Sequence, residues 1–155
     1  METSRLDNLR ALIGHEVGTS PWMEISQQKL DGQGALANDN LWIHIDRERA
    51  KRETPFGSTI AQGFLLLSHL TDMARSMDLP LPGVAYWLSY GFDRVRMVQP
   101  VAVDSRIRGR FELKKVEAKG HHGVLVHLDA SIEIEGDDIA PAVVAEWLLY
   151  LRLED

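Results

Sequence analysis

Asp39 and His44 stand five residues apart, in a polar loop sequence (Asn38-Asp39-Asn40) that leads into Trp42-Ile43-His44-Ile45. A carboxylate and an imidazole at that spacing can hold one water between them. One takes a proton from it, and one can return a proton to a neighbouring carbon. Their titrations would be coupled, so acid and base belong to the pair and not to either residue. Further on, Thr54-Pro55-Phe56-Gly57 reads as a turn and opens the most apolar helix of the chain. N–H groups in the first turn of a helix lack an intrahelical partner and carry the positive end of its dipole. That helix start can therefore supply backbone donors opposite the pair. Plainer readings stand beside these: an Asp between two Asn is commonly a turn residue, and a His between two Ile is commonly a structural one.

The remaining candidates carry less. His121-His122 sit in a hairpin turn, His15 at a helix end and His127 on a strand face without a partner pattern. His69 lies on the long helix, where a hydrogen bond to a sheet would satisfy it, and Glu146 reads as facing solvent. Arg94, Arg96, Arg106, Arg108 and Arg110 can meet phosphates or form a solvated strand face. Arg47, Arg49, Lys51 and Arg52 read as a solvated helix face.

The elements that must position the pair follow from periodicity and punctuation. Ser4 can cap a short first helix with Leu6, Leu9, Leu12 and Ile13 on one face, ended by Gly14 and Gly18. Thr19–Ile25, around Pro21, reads as a short edge strand or extended segment. Ser26–Ala37 reads as a short helix with Leu30 and Leu36 inward, although Gly32 and Gly34 each cost about 1 kcal/mol there. Asp46 can cap a helix over Arg47–Arg52. Ser58 or Thr59 would cap the apolar helix, which runs to about Met77, and the prolines between Leu79 and Gly83 stop it. Only strand patterns follow: Val84–Phe92 with Val95 and Met97, Ser105–Val116, Val124–Ile134 and Ala142–Leu153. They alternate and are joined by short turns, which predicts an antiparallel meander. The class is therefore α+β: an antiparallel sheet of about five strands curled around one long central helix.

Bulk properties agree with one domain over residues 1–155. The chain is 45% hydrophobic with a net charge of −6 and no cysteine. Thiol catalysis and Cys-ligated zinc or iron–sulfur clusters are excluded, and an acidic balance argues against nucleic acid as a partner. The first residues lack the basic and apolar segments of a signal peptide, and no apolar run approaches the ~20 residues of a membrane span. A cytoplasmic protein without a membrane partner is the expectation.

Taken in order, D-N-L-W-I-H-I-D-R-E-R-A, P-F-G-S-T-I-A-Q-G-F-L-L-L-S, Y-G-F-D-R-V-R and V-A-E-W-L resemble the MaoC-like dehydratases. These are the (R)-specific enoyl-CoA hydratases of the hotdog fold, here in their single-domain branch. The resemblance covers the chain from about Trp22 to Leu153. It implies that Asp39 and His44 are the catalytic pair and that the Gly63 N–H binds the thioester oxygen. It implies an acyl-CoA substrate (or an acyl-carrier thioester), a homodimer, and neither metal nor redox cofactor. The chain departs from the family at three candidate pocket positions. Leu41 replaces a Gln or Asn, Gln62 replaces the His before the helix glycine, and Ser89 replaces an Asn.

The activity so implied is reversible hydration of trans-2-enoyl thioesters to (R)-3-hydroxyacyl thioesters, within fatty acid metabolism. Two alternatives stand beside it. A hotdog thioesterase would place a carboxylate on the central helix, where this segment offers Gln62 and Ser68 and no acid before Asp72. A non-catalytic acyl-binding or dimer-partner subunit is the other.

Overall fold

A computed structural model describes residues 2–77 and 83–154. Helix α1 (Glu2–Arg10) leads into β1 (Glu16–Thr19) and β2 (Met23–Glu24). Ser4 lies inside α1 instead of capping it, and Gly18 belongs to β1. Helix α2 (Gln27–Ala37) starts at the expected place, with Ser26 at its N-cap. Leu30 is fully buried beneath it, but Leu36 points to solvent, contrary to the inward position expected. α2 closes on Asn38, whose left-handed backbone (φ 55°) suits Asn. The one-turn helix α3 (Trp42–Ile45) and α4 (Arg47–Glu53) come next. Asp46 caps α4 as expected, its carboxylate accepting from the Arg49 N–H at 2.9 Å.

The apolar helix α5 spans Gly63–Arg75, so neither Ser58 nor Thr59 is its cap. The reason is backbone pairing. Ile60 bridges Ala102, the Ala61 N–H donates to Val101 C=O, and the Val103 N–H donates to Thr59 C=O. With residues 59–61 held extended, the helix can begin only beyond Gln62. The stop expected between Leu79 and Gly83 lies mostly outside the described residues, and α5 has already ended at Arg75.

The strands β3 (Val84–Met97), β4 (Arg106–Ala118), β5 (Gly123–Ile134) and β6 (Val143–Leu153) follow. The sheet order is β1-β4-β5-β6-β3, with β2 also on β4, giving six antiparallel strands. The expected meander holds for β4-β5-β6 only, because β3 crosses over to pair with β6. Consequently β6, apolar on both sides, lies inside the sheet, and the long open edge belongs to β3. The inner face carries Ile107, Phe111, Leu128, Ile132, Leu149 and Leu151 against Leu65, Leu66, Leu70 and Met73 of α5. Each such side chain contributes about 1.5–3 kcal/mol on burial. Trp147 anchors this layer. It is fully buried, stacked on Phe92 at 5.8 Å and edge-on to Trp87 at 5.8 Å. This is the hotdog arrangement, a sheet wrapped on one central helix. No helix among the described residues is long and apolar enough to cross a membrane.

The strand arginines are exposed or half-buried, as the solvated face expected of them requires, but the sheet's outer face also holds buried charge. Glu146 is buried, not solvent-facing, and His127 does have partners. His127 Nδ1 meets Glu146 at 2.8 Å and its Nε2 meets Glu117 at 3.0 Å; Arg94 and Lys114 also reach Glu146. The register explains the cluster. Asp129 and Glu146 are direct cross-strand partners, so two carboxylates must be balanced by cations. Arg108 and Arg110 both bond Glu133, which burial pushes up but the two guanidiniums hold below the usual carboxylate range.

Candidate active site

Asp39 sits in the loop between α2 and α3. Its backbone N–H donates to the Gly34 C=O at 3.1 Å, which folds the loop back on the last turn of α2. The contact is close: a Cβ on Gly34 would lie 2.8 Å from Asn40 Oδ1 and 3.2 Å from the Asp39 carbonyl oxygen. Gly34, expected only to pack closely on something, thus packs on the catalytic candidate's own loop. The Asp39 carboxylate is half-buried and engages no hydrogen bond or ion pair among the described residues.

His44 is held far more tightly. It lies in α3, 9% exposed, and its Nδ1 is 2.7 Å from the Ile60 carbonyl oxygen. A carbonyl can only accept, so Nδ1 carries the proton. The neutral ring then presents a lone pair at Nε2. Nε2 has no partner among the described residues. The element behind it is fixed by Asp46, which ends α3 and caps α4, and by Arg49, whose guanidinium lies 4.1 Å from the Trp42 ring centroid.

Gly63 is the first residue of α5, closer to the helix start than the sequence suggested. Its N–H has no intrahelical acceptor, and Gln62 offers no side-chain cap. The absent Cβ is matched by Met97 of β3, whose side chain would lie 3.0–3.3 Å from it. The short segment 59–61 ties these parts together. Ile60, three residues ahead of Gly63, accepts at its C=O from His44 Nδ1–H and donates its own N–H to the Ile43 C=O.

The three departures from the family pattern separate in space. Leu41 is 52% exposed at the N-cap of α3, beside the pair. Gln62 is turned inward and fully buried; its Nε2 donates to the Leu30 C=O at 2.9 Å while Oε1 has no partner among the described residues. Ser89 accepts from Trp147 Nε1 at 2.8 Å, and it lies eight residues from Met97 along β3. At ~3.3 Å per residue that is about 26 Å of strand between Ser89 and Met97, the residue packed on Gly63. A concavity of about 400 Å³ opens on the sheet's outer face beside Arg94, Arg110 and Glu146. None of Asp39, His44 or Gly63 borders it, so the chemistry outranks the hollow as a guide to the site.

Sequence reasoning missed Gln27 and Thr59. Gln27 bonds the His44 backbone and the Thr59 hydroxyl. A Gln one residue past a helix cap carries no signal of that in the chain itself.

With this geometry in hand, the relatives are informative. Residues 8–133 match the MaoC like domain family. The chain is 36% identical over 154 residues to "Nodulation protein N" of Rhizobium leguminosarum bv. viciae, covering 99% of this chain and 95% of that one. It is 38% identical over 142 residues to "3-hydroxyacyl-thioester dehydratase Z" of Mycobacterium tuberculosis, covering 92% of each. The solved (R)-hydratase from A. caviae involved in PHA biosynthesis shares the fold, with a TM-score of 0.69 and 20% identity over 87% of this chain and 95% of that one. The domain match and the two relatives leave one assignment: the chain belongs to the MaoC-like dehydratases.

Proposed function

We propose that the protein is a hydro-lyase that reversibly hydrates trans-2-enoyl thioesters to (R)-3-hydroxyacyl thioesters, carried on coenzyme A or an acyl carrier. The observation that carries this reading is that His44, five residues after a carboxylate unengaged among the described residues (Asp39), is fixed through Nδ1 to Ile60, three residues ahead of the uncapped start of α5, which leaves Nε2 free to accept. The dehydratase name of the mycobacterial relative supports it.

Water held between Asp39 and His44 gives one proton to the pair as its oxygen bonds to C3 of the enoyl group. The C2–C3 π electrons shift to C1–C2 and the carbonyl π electrons move onto the thioester oxygen, to which the Gly63 N–H donates. A proton from the pair then reaches C2, and the site returns to its starting state. A preorganised donor of this kind contributes roughly 3–4 kcal/mol to the transition state. The thioester reaches the Gly63 N–H from the side away from Met97, which fills the space a Cβ would take. Leu41 lines the approach as an apolar residue, which suits an acyl chain better than a polar headgroup.

The working form is a homodimer in the cytoplasm. The long open edge of β3, beside exposed Tyr86, Leu88 and Tyr90, favours pairing with a second chain.

The test follows enoyl absorbance of crotonyl-CoA and longer enoyl-CoAs, with free thiol read in parallel and product chirality determined. Enoyl loss without thiol release, yielding the (R) product, is the expected result. Thiol release would make the protein a thioesterase, and no turnover at any chain length would make it a binding subunit.

A further inference from the structure

Gln27, the first residue of α2, lies at the centre of a closed ring of hydrogen bonds around His44. Its Nε2 donates to the His44 C=O at 2.8 Å and to Asp31 Oδ1 at 2.9 Å. Its Oε1 accepts from Thr59 Oγ1 at 2.7 Å. The amide orientation is forced, since the reverse would set its oxygen against two groups that only accept. Thr59 is wholly buried, and the next residue, Ile60, takes the His44 Nδ1–H at 2.7 Å. The ring therefore runs from His44 C=O through the Gln27 amide, the Thr59 hydroxyl and the Ile60 C=O back to His44 Nδ1. It joins α2, α3 and the extended segment 59–61, which is tied to α3 otherwise by the Ile60 N–H to Ile43 C=O bond at 3.1 Å.

We infer that Gln27 is a positioning residue for His44. By fixing the spacing between the His44 backbone and Ile60, it holds the imidazole in the Nδ1–H tautomer and keeps the Nε2 lone pair directed at the reacting water. Thr59 transmits this hold. The catalytic part of the inference rests on the hydratase reading, while the tautomer part does not.

The experiment reads both on the full chain. Two-bond 15N–1H correlation of 15N-histidine protein without substrate reports the His44 tautomer, and enoyl-CoA hydration reports turnover. Wild type is expected in the Nδ1–H form. Gln27→Met, of similar length but unable to make either bond, should shift His44 towards the Nε2–H form that an unrestrained imidazole prefers. Its kcat should fall about tenfold or more with KM within about twofold, the pattern of a misaimed group. Thr59→Val should move the tautomer in the same direction, and Thr59→Ser, which keeps the hydroxyl, should restore it. If Gln27→Met does not fold, the Thr59→Val and Thr59→Ser pair carries the test, because it removes and then restores the hydroxyl link while leaving the Gln27 donor in place.

A folded Gln27→Met or Thr59→Val chain with the wild-type tautomer and kcat would overturn the inference, even with a lowered melting temperature, since that is the mark of a merely structural clamp. A tautomer shift in a chain whose wild type turns over no enoyl thioester would support the clamp and overturn the hydratase reading.

Discussion

Asp39 and His44 differ in how they are held, and substitution should separate them. The Asp39 carboxylate has no partner among the described residues, so Asp39→Asn leaves no unpaired group behind there. Hydration should fall by about 10²–10⁴-fold with the unfolding midpoint almost unchanged. His44→Gln should lose activity on the same scale, but it also strips the Ile60 carbonyl of a donor within a half-closed site. A stability loss of about 1–3 kcal/mol is expected in denaturant titration, where Asp39→Asn shows none. Gly34 offers a third test. An added methyl meets Asn40 Oδ1 and the Asp39 carbonyl, at an overpacking cost of about 1–3 kcal/mol. Replacing a mid-helix glycine by alanine returns about 1 kcal/mol. The two nearly offset, so Gly34→Ala should change the melting temperature little while displacing the Asp39 loop and lowering kcat about tenfold.

At the scale of elements, α5 carries a partly buried group whose titration is set by its burial in the fold. Burial holds the His69 imidazole below its ordinary value of 6.5, Lys29 lowers it further and Asp72 opposes. Its Nε2 is buried without a partner among the described residues. The unfolded chain thus binds the proton more readily than the folded one. Stability tied to this group is present above the ordinary histidine value and is lost as pH falls below it, down to the lowered folded value. Chemical denaturation across about pH 7 to 5 should show the midpoint dropping, and His69→Gln should flatten that drop. An equal slope in both proteins would mean that other groups govern the acid limb.

For the whole molecule, the core and the open edge make separate statements. Trp147 touches Trp87, Phe92 and Phe111 and donates to Ser89, linking β3, β4 and β6 in one cluster. Trp147→Ala should cost about 3–5 kcal/mol, measured by denaturant unfolding. The β3 edge bears on assembly. Sedimentation at micromolar concentration should give twice the 17.5 kDa chain mass. A 17.5 kDa species that still turns over enoyl thioester would show that one chain suffices.

Local chemistry made much of this legible in advance. Asp46 marks a helix start because its carboxylate takes the first-turn Arg49 N–H, a bond made within four residues of chain. Alternation in Ile107, Phe111 and Leu113 assigns the inner face of β4 because strand geometry repeats every two residues. Spacing put Asp39 and His44 forward as a pair, and the string of motifs pointed to the family to which the chain proves to belong. What depends on residues distant in sequence was decided only by the tertiary structure. The start of α5 moved from Ser58 or Thr59 to Gly63 because Val101 and Val103 claim the intervening backbone. Glu146 and His127 became buried partners because register brings Asp129, Lys114 and Arg94 around them. β3 became the open edge because it crosses over to β6. Gln27 gained its place at His44 in the same way: a hydrogen bond across 17 residues of chain has no local period or propensity to announce it.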